Sequence, residues 1–277
     1  MSVLAVAGKD VRESVRTFTL VGLTAAFVFV AGGLAAIHWV PVPFRESAVS
    51  SDTLALLNSM RQATVLFVPL IGLALGTRAV SGERDRGTIR MLLGLPISRG
   101  AVVLGKFLGC TTVVGIASGI GFAVAGAIAL TTYDSFDAVV FVGYAVMTFL
   151  YGAVFVAIGI GFSAGLPSRV RAIAAGAALY TLFLLGWDLF LVVLVGLTGR
   201  NALHATVPEW IQFVGLWNPA NAFTHATRAV VPAYGEVTTY PASDAAYLQD
   251  WIGFVVLACW IVVPLLMGYL RFRNADL

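Results

Sequence analysis

Few residues in this chain could do chemistry, and their spacing decides against most of it. Gly161-Phe162-Ser163-Ala164-Gly165 fits the GxSxG pattern of a serine nucleophile. That pattern works only on a sharp strand-to-helix turn, and here it closes a long apolar run. A serine also needs a base within hydrogen-bond reach. The histidines, His38, His204 and His225, all map to the far end of the apolar runs. They could suggest copper or another soft metal, but no methionine cluster, cysteine or second histidine stands beside any of them. Cys110 and Cys259 lie inside apolar runs without a CxxC, so neither a disulfide framework nor a zinc site is indicated. No GxxxxGK[ST] and no HExxH occurs. The chain is expected to be non-catalytic and to hold no metal or cofactor of its own.

Composition says what such a chain is for. Of 277 residues, 59% are hydrophobic and 11% charged, against about 25% charged in a soluble domain. Mean hydropathy is +0.92. Too few charges remain to cover a soluble surface, which excludes a soluble enzyme, a disordered tail and a nucleic-acid module. A spanning helix needs about 20 apolar residues. Residues 18–40, 63–80, 101–131, 138–164, 172–198 and 251–270 qualify and make up more than half the chain. Uniform apolarity predicts helices, since barrel strands would alternate. The expected class is all-α integral membrane, one transmembrane domain over 1–277. The first run starts late and is followed by Pro41-Val42-Pro43, so it reads as a span and not a cleaved signal.

All Lys and Arg except Arg45, Arg61, Arg200 and Arg228 fall on one side of these spans. The positive-inside rule puts that side, with both termini, in the cytoplasm. Residues 3–17 read as a helix lying along the inner leaflet, with Leu4, Ala7, Val11, Val15 and Phe18 on one face and Lys9, Arg12, Glu13 and Arg16 on the others. On the outer side, Asp52 can cap a helix that runs into the second span, and 132–137 makes a tight turn. The 199–250 segment is longer than a connection needs. It carries two short apolar pieces, Trp210 to Trp217 and Ala220 to Val231, and Asn218-Pro219 between them reads as a helix start. Either they dip into the outer leaflet or they form a small external cap.

Asp188 is the one acid inside a span. A membrane carboxylate faces a cavity or a partner, so it either lines a path or gate or pairs with an arginine such as Arg200 or Arg228 or with a hydroxyl. Gly105 and Gly109, then Gly115 and Gly119, have the spacing that lets helix backbones approach.

The most informative stretch is 81–106. It is expected to leave the second span, turn at Gly82, and hold Glu83, Arg84, Asp85 and Arg86 in one charged cluster. Gly87-Thr88 then opens a short amphipathic helix, Ile89 to Leu95, that Pro96 stops, and Ser98 can cap the third span. Ile89, Met91, Leu92, Leu93 and Leu95 argue against a merely solvated loop, because an apolar face needs cover.

Here the chain resembles the ABC-2 family of ABC transporter permeases. The shared features are Glu83, Gly87-Thr88, Leu92-Leu93, Pro96-Ile97-Ser98-Arg99 and Lys106, with Asn218-Pro219-Ala220-Asn221-Ala222-Phe223 as the family's NP motif. The short outer loops and that motif are similar to NosY-like permeases, which are associated with maturation of a copper enzyme. The resemblance implies a membrane exporter subunit that works as two permease copies with two cytoplasmic ATPases. ATP and Mg would bind the partner ATPase. The 83–99 segment would be the coupling helix, docking through Leu92 and Leu93 with Arg90 at the rim and Arg99 at its end. Glu83 would anchor it through a helix N-terminus or an arginine. Asn218, Pro219 and Phe223 would belong to an outer gate. A stand-alone secondary transporter and a membrane assembly factor are the other classes open to such a sequence.

Overall fold

The computed structural model describes residues 3–36, 52–89, 97–198, 207–238 and 245–275. Among them every regular element is helical, and the one extended pairing is an isolated bridge between Asp52 and Ser135. Helix α1 (Val3–Arg16) and helix α2 (Thr19–Ala35) meet in an elbow of 76°. Phe18 makes that corner in the left-handed region, φ 55°. Helix α3 (Thr53–Ala79) continues past Val80 as the short α4 (Ser81–Asp85). Then follow α5 (Arg99–Thr132), α6 (Ala138–Gly165) and α7 (Arg169–Leu197). Two short helices, α8 (Glu209–Leu216) and α9 (Pro219–Val230), precede the last, α10 (Ile252–Arg273).

Among the described residues five helical stretches are long and apolar enough to cross a membrane: Thr53–Asp85, α5, α6, α7 and α10. The bent pair α1 and α2 makes a sixth if taken as one span. The fold is therefore all-α and of membrane type. The expected 63–80 span is much longer, because Asp52 caps it early by accepting from Ala55 N at 2.7 Å and the helix runs on to Asp85. The turn expected at Gly82 is absent. It falls instead at Gly87, φ 72°, where a side chain would be strained. Ser98 does cap α5, accepting from Ala101 N at 3.1 Å. Residues 37–40 of the first expected span lie outside the described residues.

Helix α6 is the centre of the bundle, packed by α3, α5, α7, α9 and α10. Small residues permit this. A Cβ on Gly76 would lie 2.6 Å from Val156 O, and one on Gly159 only 2.9 Å from Gly76 Cα. In a membrane protein packing and interhelical hydrogen bonds do the work that water drives in a soluble core. Of the candidate spans α6 is 56% buried and α7 only 11%, so α7 sits at the edge of the chain with most of its surface uncovered.

Candidate functional site

The charged groups gather where α1 crosses α5. The seat is the Gly105/Gly109 pair: a Cβ on Gly105 would lie 2.6 Å from Val6 Cβ, and one on Gly109 2.9 Å from Asp10 Cβ. Close approach brings Asp10 against Lys106, one turn away on the same face of α5. Lys106 Nζ donates to Asp10 Oδ1 and to Glu83 Oε1, both at 2.7 Å, and Lys9 Nζ donates to the same Glu83 oxygen at 2.7 Å. Asp10, Glu83 and Lys106 are buried, while Lys9 is nearly half exposed. Buried charges persist only when paired in this way. Burial still holds the Asp10 carboxyl above its ordinary value, only partly offset by Lys106. The second oxygens, Asp10 Oδ2 and Glu83 Oε2, have no hydrogen-bond partner among the described residues.

Glu83 is thus anchored by two lysines, not by a helix N-terminus or an arginine as expected, because α1 delivers Lys9 and α5 delivers Lys106 to it. Asp10 was missed. Its signal in the sequence is an acid four residues after Val6, on a face adjoining the expected apolar stripe. Of that stripe, Leu4, Val15 and Phe18 are exposed, and it is Val6 and Asp10 that face α5. The carboxylates of Asp10, Glu13 and Glu83 approach within 4.8 Å of one another. They do not make a metal site, since the Lys106 ammonium already supplies the cation between two of them.

Other charged groups at this end close helix termini, whose last carbonyls lack helical partners. Arg84 donates to Leu166 O at 2.7 Å and Ala164 O at 3.4 Å, at the end of α6. Arg99 donates to Phe272 O at 2.6 Å, Arg273 O at 2.9 Å and Ala275 O at 2.8 Å, at the end of α10. Both positions suit a cation beside the negative end of a helix dipole. Ser163 of the GxSxG match is wholly buried. Its hydroxyl accepts from Val80 N at 3.0 Å and Ser81 N at 2.8 Å, where α3 passes into α4. It is a backbone cap and not a nucleophile. Beyond Gly87, Thr88 Oγ1 donates to Glu83 O at 3.2 Å, and Thr88 and Ile89 begin a helix with Ile89 buried. Arg90, Leu92, Leu93 and Pro96 lie outside the described residues.

An α1 elbow, a helix-to-turn segment leaving the second long helix and a lysine receiving its glutamate are arranged along a single chain of helices. A family model described as ABC-2 family transporter protein matches residues 4–277. The chain belongs to the ABC-2 family. It is a multi-pass membrane protein and a permease subunit of an ABC transporter. It is similar to the probable ABC transporter permease protein NosY of Pseudomonas aeruginosa, 26% identical over 276 residues, covering 98% of each chain. It is also similar to the protein of the same description from Stutzerimonas stutzeri, 26% identical over 274 residues and 97% of each chain.

At the opposite end of the permease, Asn218 caps α9, its Oδ1 accepting from Ala220 N at 2.9 Å. Its Nδ2 donates to Phe183 O at 2.9 Å. That carbonyl belongs to Leu182–Gly186, a π-helical turn inside α7, where the widened ladder leaves carbonyls to outside donors. Pro219 takes the first helical position and is buried. Phe223 is fully buried, with its ring against Tyr144 and Tyr151 of α6. Asn218, Pro219 and Phe223 therefore pin α9 to α7 and α6. Asp188 is exposed on α7 and has no hydrogen bond or ion pair among the described residues. Arg228, one of its two expected partners, instead holds Asp250, Nε to Oδ2 at 3.2 Å. Arg200, the other, lies outside the described residues.

Proposed function

We propose that the permease is driven from its basic end by a cytoplasmic ABC ATPase and exports its substrate across the plasma membrane. In this reading both termini are cytoplasmic and α2 with the five long helices makes six spans. Helix α1 lies in the inner interface, its exposed Leu4, Val15 and Phe18 turned to lipid. The segment 83–99 is the coupling helix, receiving the ATPase through Leu92 and Leu93. Helices α8 and α9 dip into the outer leaflet and carry the gate at Asn218, Pro219 and Phe223. A second permease copy completes the pathway.

The observation that carries the reading is the Lys9–Glu83–Lys106–Asp10 chain, in which Glu83, Lys106 and Asp10 are buried. A push on the segment after Gly87 reaches Glu83 within one turn. From there it is transmitted without slack to α1 and α5, because a buried ion pair cannot be separated cheaply. Arg84 passes the same displacement to the end of α6.

The test is reconstitution with the cognate ATPase, with binding, hydrolysis and transport measured separately. Leu93→Asp places an unpaired charge in an apolar contact and is expected to abolish ATPase binding. Glu83→Gln keeps the shape and is expected to retain binding while uncoupling hydrolysis from transport. Wild-type binding by Leu93→Asp would place the docking surface elsewhere.

A further inference from the structure

At the basic end a cavity of about 530 Å³ opens between the α1–α2 elbow and α3. Its walls are of two kinds. Leu23 of α2 and Ile71 and Leu75 of α3 supply an apolar floor, and Arg78, which is exposed, and Arg169, which is half-buried, line the same cavity. Ile71, Leu75 and Arg78 follow at steps of four and three, so they share one face of α3. The apolar surface thus lies one to two turns deeper in the bundle than the guanidinium.

Most of the other charges lining the cavity are already engaged. Asp10 and Glu83 hold Lys106. Glu13 faces Arg86 at 3.6 Å, and Asp85 lies beside Arg84, which feels its charge. Arg78 and Arg169 have no hydrogen bond or ion pair among the described residues. Two free guanidiniums above an apolar floor match a phosphodiester joined to a hydrocarbon chain. Guanidinium is the side chain best shaped for phosphate oxygens, and the floor has nothing to offer a soluble phosphate.

We propose that this cavity binds one glycerophospholipid, its phosphate between Arg78 and Arg169 and an acyl chain along Leu23, Ile71 and Leu75. The bound lipid fills the space between the elbow and α3, beside Glu83, and so stiffens the angle at Phe18. The site requires only that α2 and α3 lie in a bilayer, and it stands or falls apart from the ATPase contact.

The probe is palmitoyl-oleoyl-phosphatidylethanolamine, titrated into the delipidated full-length permease in detergent and followed by native mass spectrometry. One tight adduct per chain is expected. Its affinity should fall at least tenfold in the Arg78→Gln/Arg169→Gln double variant. It should also fall in Leu75→Trp, which fills the floor. Arg271→Gln removes a charge at the same end but outside the cavity and should bind as wild type. Millimolar inorganic phosphate should not displace the lipid. Neither arginine is buried and neither side chain has a partner among the described residues, so a thermal melt of the double variant should match wild type. Equal lipid binding by wild type and double variant overturns the proposal, as does competition by inorganic phosphate or an equal loss in Arg271→Gln. No ATPase is present in this experiment, so its outcome is independent of the coupling test.

Discussion

Lys106 Nζ and Glu83 Oε1 lie 2.7 Å apart in the protein interior, joining α5 to the short helix α4 that continues α3. Asp10 takes the same ammonium at the same distance, so one lysine bridges two carboxylates, and Lys9 supplies Glu83 with the second positive charge. Removing one partner of a buried pair leaves an uncompensated charge, at a cost of about 3–5 kcal/mol. Lys106→Met is therefore expected to lower the melting temperature sharply or to prevent accumulation. The triple variant Asp10→Asn/Glu83→Gln/Lys106→Met should recover much of the stability without recovering coupling. Thermal melts in detergent and transport assays separate the two.

Ser163 offers a cheaper test of the backbone junction. Ser163→Ala removes the acceptor for two buried N–H groups, Val80 and Ser81, which should cost about 1–3 kcal/mol. The loss should appear in the melt. A serine-reactive fluorophosphonate should label neither wild type nor variant, and labelling of wild type alone would reinstate the nucleophile.

Two of the α5 glycines, Gly105 and Gly119, should respond differently. Gly105→Val puts a side chain into Val6 and is expected to cost about 1–3 kcal/mol by overpacking, lifting α1 from its seat. Gly119 has open space at its Cβ, so Gly119→Ala should be neutral or slightly stabilising. Melts of the two variants side by side decide the matter.

Asp188→Asn should leave the stability of the isolated chain unchanged, since the carboxylate has no partner among the described residues. An effect on transport, or on self-association measured in nanodiscs, would assign the carboxylate to the pathway or to contact with a second copy. A fall in melting temperature without either would show a structural partner.

At the end opposite the charged cluster His225 Nδ1 lies 3.1 Å from Asp250 Oδ1. Burial keeps this imidazole below its ordinary pKa of 6.5, against the upward pull of Asp250. The folded state then binds fewer protons than the unfolded chain. Its contribution is intact above the ordinary value and is lost as the pH falls below it. The melting temperature of wild type should drop on going from about pH 7 to about pH 5, and His225→Gln should drop less. Identical slopes would remove His225 from the account.

The sequence by itself determined the class and much of the outline. Runs such as 138–164 are apolar on every face, and no soluble surface can be built from them. Asp52, Ser98 and Asn218 each precede a helix with a side chain that accepts a backbone N–H, a local interaction readable from neighbours alone. What the sequence did not determine is which residues meet across the chain. Asp10 and Lys106 are 96 positions apart, and nothing local distinguishes a buried acid in α1 from the exposed Glu13 three residues on. The same holds for Arg84 and Arg99, which look like loop charges until the ends of α6 and α10 arrive to receive them. The turn was placed at Gly82 instead of Gly87 because both are glycines between charged residues. Only packing decided, by drawing Glu83 inward and carrying the helix past Gly82 to bury it. Long-range pairing depends on how α1, α3 and α5 cross, and that is set by the Gly105/Gly109 seat and the Phe18 corner together.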